Sequence, residues 1–218
     1  MVDEAIANHV DFVFAHHPVM FRPAKNLDFD ADPQLAMYGK IVANGITVYA
    51  AHTNLDNAPG GMNDWLAEQL QLTNVTSWLP NPDNPEVKMG RVGQLQQPLS
   101  MRSFAEYCKQ QFHVGGVRLV SHEQDKLVQQ VAILGGDGGK FFRDAQATGA
   151  DVYVTGDVYY HTGHDMLAAG LSVVDPGHHI EAVCIPKVAA MLRQWSTQYQ
   201  WHLEVLESQP NTDPFTFV

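Results

Sequence analysis

Ala150-Asp151-Val152-Tyr153-Val154-Thr155-Gly156-Asp157 is an apolar run stopped by a Gly-Asp pair, and its reading decides the fold class. Val152–Thr155 is β-branched or aromatic throughout, which suits a strand buried on both faces. A helical stretch, His164–Ala169, and a second apolar run, Ser172–Val174, follow at once. Strand, helix and strand joined by short Gly-punctuated turns predict a largely parallel or mixed sheet in an α/β layered fold.

The same alternation extends in both directions. Upstream, Val128–Leu134 reads as a strand running into Gly135-Gly136-Asp137-Gly138-Gly139-Lys140, which opens a helix to about Gly149. Before it come strands at Gly90–Gln94 and Val117–Val120, and a helix over 100–111 with Ser100 as N-cap and Ser103 as a competitor. Downstream, a helix over 181–199 precedes a strand at His202–Leu206. The N-terminal third repeats the theme: a short helix over 2–7, strand Phe12–Ala15, helix 34–44 stopped by Gly45, strand Ile46–Ala51, and helix 61–70. Residues 80–86, Pro-Asn-Pro-Asp-Asn-Pro-Glu, carry linker or long-turn chemistry and mark the expected domain boundary.

Composition narrows the function. The 218 residues hold 13 Lys+Arg against 24 Asp+Glu, a net charge of −11, so a nucleic-acid or anionic-membrane surface is not expected. Hydrophobic residues at 45% and charged residues at 17% describe a globular chain. No apolar run reaches a membrane span, and Met1 leads into Val-Asp-Glu-Ala, which is no signal peptide; the cytoplasm is the expected compartment. Cys108 and Cys184 are too few and too distant for a disulfide scaffold or thiolate metal site and read as core residues.

Eleven histidines are the unusual feature, because several fall where apolar runs end. His16-His17 leaves the first strand at Pro18; adjacent residues in an extended chain point apart, so they serve two neighbouring ions or require a turn. His52-x-x-x-Asp56 leaves the second strand, and a carboxylate there can bridge two cations. His178-His179-Ile180-Glu181 follows an Asp-Pro-Gly turn, and a helix begun at His178 sets His178 and Glu181 on one face. Each has a plain structural alternative: a surface His pair, an Asx-turn or N-cap, a carboxylate at a helix start. Three strand ends of this kind together favour metal. Imidazole with carboxylate and no thiolate suits zinc, iron or manganese, and two bridging carboxylates favour two divalent ions.

Two further stretches carry weaker signals. Gly135–Lys140 fails both the Walker and the dinucleotide spacing, which leaves an anion-facing turn or a tight strand-to-helix turn. Asp157 and His161, after the strand quoted first, could support a ligand or act as general acid and base; a capped turn with an exposed His is the alternative.

Val2–Ala7, Phe12–Pro18, Tyr49–Asp56, the Gly135–Gly139 turn, Ala150–Asp157 and Asp175–Glu181 together resemble the Nif-three-like (Nif3-like) family, whose bacterial members bear the name GTP cyclohydrolase I type 2 homologue. The resemblance spans nearly the whole chain. It implies two α/β lobes, with mixed sheets flanked by helices and a dinuclear metal site in the cleft between them. The N-terminal lobe would be 1–82 completed by 183–218, and the middle lobe 88–182. The ligands it implies are His16, His17, Asp56, His178 and Glu181, with His52 beside them and His179 as an alternative to His178. It also implies a ring-like homo-oligomer, a hexamer, with the metals facing an internal cavity. Relatives carry a strand–helix segment ahead of the Val-Asp-Glu-Ala helix at which this sequence starts, so a first lobe without that sheet edge is expected.

The leading functional expectation is a metal-dependent hydrolase-like enzyme acting on a small phosphorylated or cyclic substrate, with Asp157 or His161 moving the proton. The alternatives are a non-catalytic metal-binding assembly for metal handling or protein interaction, and a nucleotide-binding module built on Gly135–Lys140.

Overall fold

A computed structural model describes all of residues 1–218. The chain runs α1 (Val2–Ala7), β1 (Phe12–Ala15), α2 (Pro33–Ala43), β2 (Thr47–Ala50), α3 (Thr53–Asn57), α4 (Met62–Gln69), β3 (Thr73–Pro80) and β4 (Lys88–Ser100). It continues with α5 (Met101–Gln111), β5 (Arg118–Val120), β6 (Leu127–Asp137), α6 (Phe142–Ala147), β7 (Val152–Gly156), α7 (Tyr160–Ala168), β8 (Ser172–Asp175) and α8 (Cys184–Tyr199). Short 3₁₀ helices occupy Gly139–Phe141 and His178–Val183. Two compact units result: a smaller one of residues 1–55 and 192–211, and a larger one of residues 56–191 and 212–218. No helix is long and apolar enough to cross a membrane.

In the smaller unit β1 and β2 pair in parallel, from Phe12↔Thr47 to Ala15↔Ala50. A parallel pair needs a crossover, and α2 supplies it. Asp32 caps α2 by accepting from the N–H groups of Gln34 and Leu35, and Pro33 fills the first helical position. Gly45 ends it in the left-handed region, φ +64, as the sequence predicts. The strand expected at 202–206 is not formed. The Val205 carbonyl accepts from Arg193 and the Leu203 N–H donates to Ser196, so the segment folds back on its own helix rather than joining a ladder.

The larger unit is organised by a six-stranded mixed sheet in the order β3-β4-β6-β7-β8-β5. β6, β7 and β8 are mutually parallel, and the other pairings are antiparallel. Every residue of β7 and β8 is buried, which accounts for the consecutive apolar residues Val152-Tyr153-Val154 and Val173-Val174. Ala132, Leu134, Tyr153 and Val173 pack with Phe142 and Met166 of α6 and α7. Alternation turns Val131 and Ile133 to the opposite face, where Leu66 of α4 abuts Gly135. Helices α4 and α5 contact the sheet there. Ser100 does cap α5, accepting from the Ser103 N–H.

Two expectations need correction. Residues 80–86 join β3 to β4 within one antiparallel pair, so the prolines build a long hairpin turn, and the units divide after Leu55 and Met191 instead. β4 is also far longer than the predicted 90–94. Its ladder shifts between Gln94 and Leu99, around Pro98, which has no N–H to donate.

Candidate metal centre

Each unit carries its own group of metal-capable side chains. In the smaller unit the parallel register of β1 and β2 brings their carboxyl ends level, and the residues just beyond are His16, His17 and His52. The chain bends at His16-His17, which cancels the opposed pointing of an extended pair. The three rings therefore cluster, with centroids 4.9, 5.2 and 5.3 Å apart. One ring nitrogen from each lies within 4.8 Å of the other two. His16 is buried, and its Nδ1 is 2.8 Å from the Ala51 carbonyl oxygen. A carbonyl only accepts, so Nδ1 carries the proton and Nε2 is the nitrogen with a lone pair to offer a metal. Phe21 meets His52 edge-on at 5.9 Å.

In the larger unit the 3₁₀ helix His178–Val183 follows β8. Three residues per turn place His178 directly over Glu181, and His178 Nε2 lies 3.2 Å from Glu181 Oε2. The other nitrogen, Nδ1, is 2.8 Å from Asp157 Oδ2. Asp157 sits just past β7 with φ +53, a left-handed conformation that a non-glycine residue adopts at some cost. Asp56 on α3 and the buried Glu181 present carboxylate oxygens within 4.8 Å of each other. His178 is pushed up to about 9, by the hydrogen bond to Glu181 above all and against the desolvation that opposes it, with Asp157 adding to the rise.

Three residues hold this group in place: two that the sequence showed only as part of a Gly-rich turn, and Asn63, which it did not single out. Gly135 and Gly136, the end of β6, are the floor beneath Glu181. A Cβ at Gly136 would stand 3.0 Å from Glu181 Oε1 and 3.5 Å from His178 Nε2, and its φ of +65 also favours glycine. Asn63, wholly buried on α4, donates to the Asp56 carbonyl and accepts from the Gly135 N–H, joining the two sides of the carboxylate pair. The one signal was an Asn on an otherwise apolar helix face.

The Gly-rich stretch is thus a bed for side chains rather than an anion loop. Its Gly138 N–H already donates to Thr155 Oγ1, and the helix after it is only six residues long. His161 is not gathered in: it is exposed on α7, its ring edge-on to Tyr160 at 5.4 Å. Of the adjacent histidines it is the ring of His178 that meets Glu181. The donor chemistry fits a divalent ion: three imidazoles gather in the smaller unit, and in the larger Glu181 lies beside both the His178 imidazole and the Asp56 carboxylate. The nearby Cys184 thiol is pushed up to about 11, by burial first and then by Glu181 and Asp56.

A family model described as Duf34/NIF3 (NGG1p interacting factor 3) matches residues 1–214. The chain belongs to the Duf34/NIF3 family. It is 42% identical over 217 residues to a Streptococcus pneumoniae protein named GTP cyclohydrolase 1 type 2 homolog, covering 98% of this chain and 80% of that one. A Lactococcus lactis protein of the same name is 37% identical over 216 residues, with 98% and 80% covered. Among solved structures, a Bacillus cereus protein related to NIF3 superposes with TM-score 0.92 at 30% identity, covering all of this chain and 86% of the other. The resemblance read from the sequence is borne out, as is the NIF3-like α/β architecture.

Proposed function

We propose that this NIF3-family chain holds two divalent ions, zinc, iron or manganese, with His16, His17, Asp56, His178 and Glu181 as their ligands. On this reading it acts as a metal-dependent hydrolase on a small phosphorylated or cyclic substrate. The observation that supports it is that each unit fixes one imidazole through Nδ1, His16 on the Ala51 carbonyl and His178 on Asp157, and sets it beside further donors at strand ends. Bound divalent ions supply Lewis acidity toward water and toward a phosphoryl or carbonyl oxygen. Asp157 is then a positioning residue, holding the His178 ring in its orientation. His161, exposed on α7 with its ring against Tyr160, takes no part in holding the ions. Gly135 and Gly136 keep the Glu181 carboxylate from being crowded. The relatives' names agree with a hydrolytic chemistry and leave the substrate open.

A second reading, a non-catalytic metal-binding assembly, is favoured by one observation: the smaller unit leaves Phe12, Phe21, Val42 and Tyr49 exposed, a surface suited to association, including the ring-like hexamer of the resemblance. Both readings are tested by elemental mass spectrometry on protein purified without chelators, beside Asp56→Ala and Glu181→Ala. Roughly two ions per chain, lost in both variants, is the expected result for a dinuclear site. Folded protein that carries no metal and takes up no added zinc, iron or manganese would end both readings. A substrate screen then separates them: turnover that disappears in Asp56→Ala excludes the non-catalytic assembly.

A further inference from the structure

The larger unit has a cavity of about 270 Å³ that neither the metal ligands nor their supports use. Its walls come from edge strand β5, the segment after β7, and α7: Arg118, Val120, Val158, Tyr159, Tyr160 and Leu167. We propose that this cavity binds a small molecule with a planar aromatic ring bearing an anionic group, a phosphoryl or carboxylate substituent. The proposal deepens the hydrolase reading by naming a substrate class, and it rests on that reading for its role but not for its binding.

Arg118 supplies the anion end. Its guanidinium pairs with Asp175 through one amino group, while its side chain remains 60% exposed and its other N–H donors are available. Asp175 is 1% exposed and also accepts from the Val158 and Gly177 N–H groups, both at 2.8 Å. The carboxylate is therefore shared among three donors: it anchors the guanidinium while cancelling only part of its charge. An Arg held at one corner with its remaining fork presented is suited to paired hydrogen bonds from a phosphoryl or carboxylate group.

The aromatic end is equally specific. Tyr159 and Tyr160 are 69% and 76% exposed, although Val120, Val158 and Leu167 beside them offer apolar cover for a ring. His164 and His161 meet Tyr160 edge-on at 4.8 and 5.4 Å, which fixes the plane of the phenol. Such an oriented ring beside an apolar wall stacks a flat partner, and the cavity has room for a single ring with one substituent.

Its place in the chain ties it to the chemistry. Val158 directly follows Asp157, which orients His178, and Asp175 ends the strand that leads into His178. The cavity and the Asp157–His178–Glu181 group are thus built from the carboxyl ends of the same two strands, β7 and β8, where open α/β sheets bind ligands.

The test uses phenylphosphonate, which cannot be hydrolysed, in calorimetric titrations of metal-loaded and chelator-treated protein. Binding is expected in both forms, with methylphosphonate, which lacks the ring, weaker by about ten-fold or more. Arg118→Gln should weaken phenylphosphonate by about ten-fold or more. Because that variant strips a buried carboxylate of its partner, Tyr160→Ala provides the second arm. The site is exposed, so the protein stays folded, and a loss of about five-fold is expected. Equal binding of methylphosphonate, or affinity unchanged in Tyr160→Ala, overturns the proposal. So does binding confined to the metal-loaded form and indifferent to both variants, which would place the anion on the metals. A chain that takes up no metal yet binds phenylphosphonate through Arg118 would end the hydrolase reading and leave this one standing.

Discussion

The two units solve one problem with unequal means. Each places histidines beyond the carboxyl ends of parallel strands and fixes one imidazole through Nδ1. In the larger unit the strands that do so, β7 and β8, are buried along their whole length, inside a six-stranded sheet covered by helices on both faces. In the smaller unit the two strands form the whole sheet, and Phe12 and Tyr49 on them are half exposed. The lesson is that ligand geometry at a strand end is set by pairing register and a few hydrogen bonds, while the stability behind it depends on buried area and differs between the units.

Paired substitutions can break that contrast. Tyr153 of β7 is wholly buried and donates to the Gly138 carbonyl, so Tyr153→Ala should cost about 3–5 kcal/mol in chemical denaturation. Tyr49→Ala on β2 should cost less than about 1 kcal/mol, since half of the side chain already faces water. Equal losses would show that the smaller sheet is as well supported as the larger.

Ion pairs sharpen the same point. Arg91, 3% exposed, holds Asp64 through two of its nitrogens and also donates to the carbonyls of Lys88 and Gly90. Arg91→Met leaves a partly buried carboxylate unpaired and should cost about 3 kcal/mol. The exposed Arg193–Glu207 pair of the smaller unit should cost no more than about 1 kcal/mol when Arg193 becomes Met. Burial raises the Asp64 carboxyl, but the Arg91 hydrogen bond and charge, with the Gly60 and Gly61 N–H groups, outweigh it and hold it below the usual range. A lowered carboxyl contributes stability above its unfolded value of 3.8 and loses it as pH falls through the folded value. Acid denaturation should therefore show a step at that end of the scale that Arg91→Met removes.

Metal affinity offers a smaller, asymmetric effect. Asp157→Asn removes the carboxylate that orients His178 and should weaken metal binding by about ten- to a hundred-fold in competition with a chromophoric chelator. The corresponding partner of His16 is the Ala51 carbonyl, which no side-chain substitution deletes, so Ala51→Ser should leave affinity unchanged. The smallest effect is on pH. His178 is raised from 6.5 to about 9, so its contribution to the stability of chelator-treated protein is complete below 6.5 and fades as pH rises through 9. Denaturant midpoints should drift down across that window, and less so in Asp157→Asn.

Much of this was readable from the sequence, for definable reasons. β7 and β8 announce themselves because strands buried on both faces need no alternation, and Ser100 and Gly45 because caps obey local chemistry. The three strand-end groups were visible as residue types, and the spacing of His178 and Glu181 put them on one face of a helical turn, though not that the turn is 3₁₀. β3 was missed because Thr73-Asn74-Val75-Thr76-Ser77 is polar and exposed, held by its partner strand rather than by any pattern of its own. The strand expected at 202–206 fails for the opposite reason: apolar alternation is present, but Arg193 and Ser196 take the backbone groups a ladder would need. Gly135 and Gly136 were legible only as a turn, because their use depends on Glu181, which lies far away in sequence.

The edges of the two sheets carry a consequence for behaviour in concentrated solution. The larger sheet ends in β5, three residues long, and in β3, which is broken by a shift between Thr73 and Thr76 and closed by Pro80. Short, irregular and proline-ended margins resist recruitment of further chains. β1 and β2, Phe-Val-Phe-Ala and Thr-Val-Tyr-Ala, have no such guard: each is apolar, uncharged and open along one side. A lysine introduced at Phe12 or Thr47 is therefore expected to lower light scattering in concentrated solution more than one introduced at Thr76.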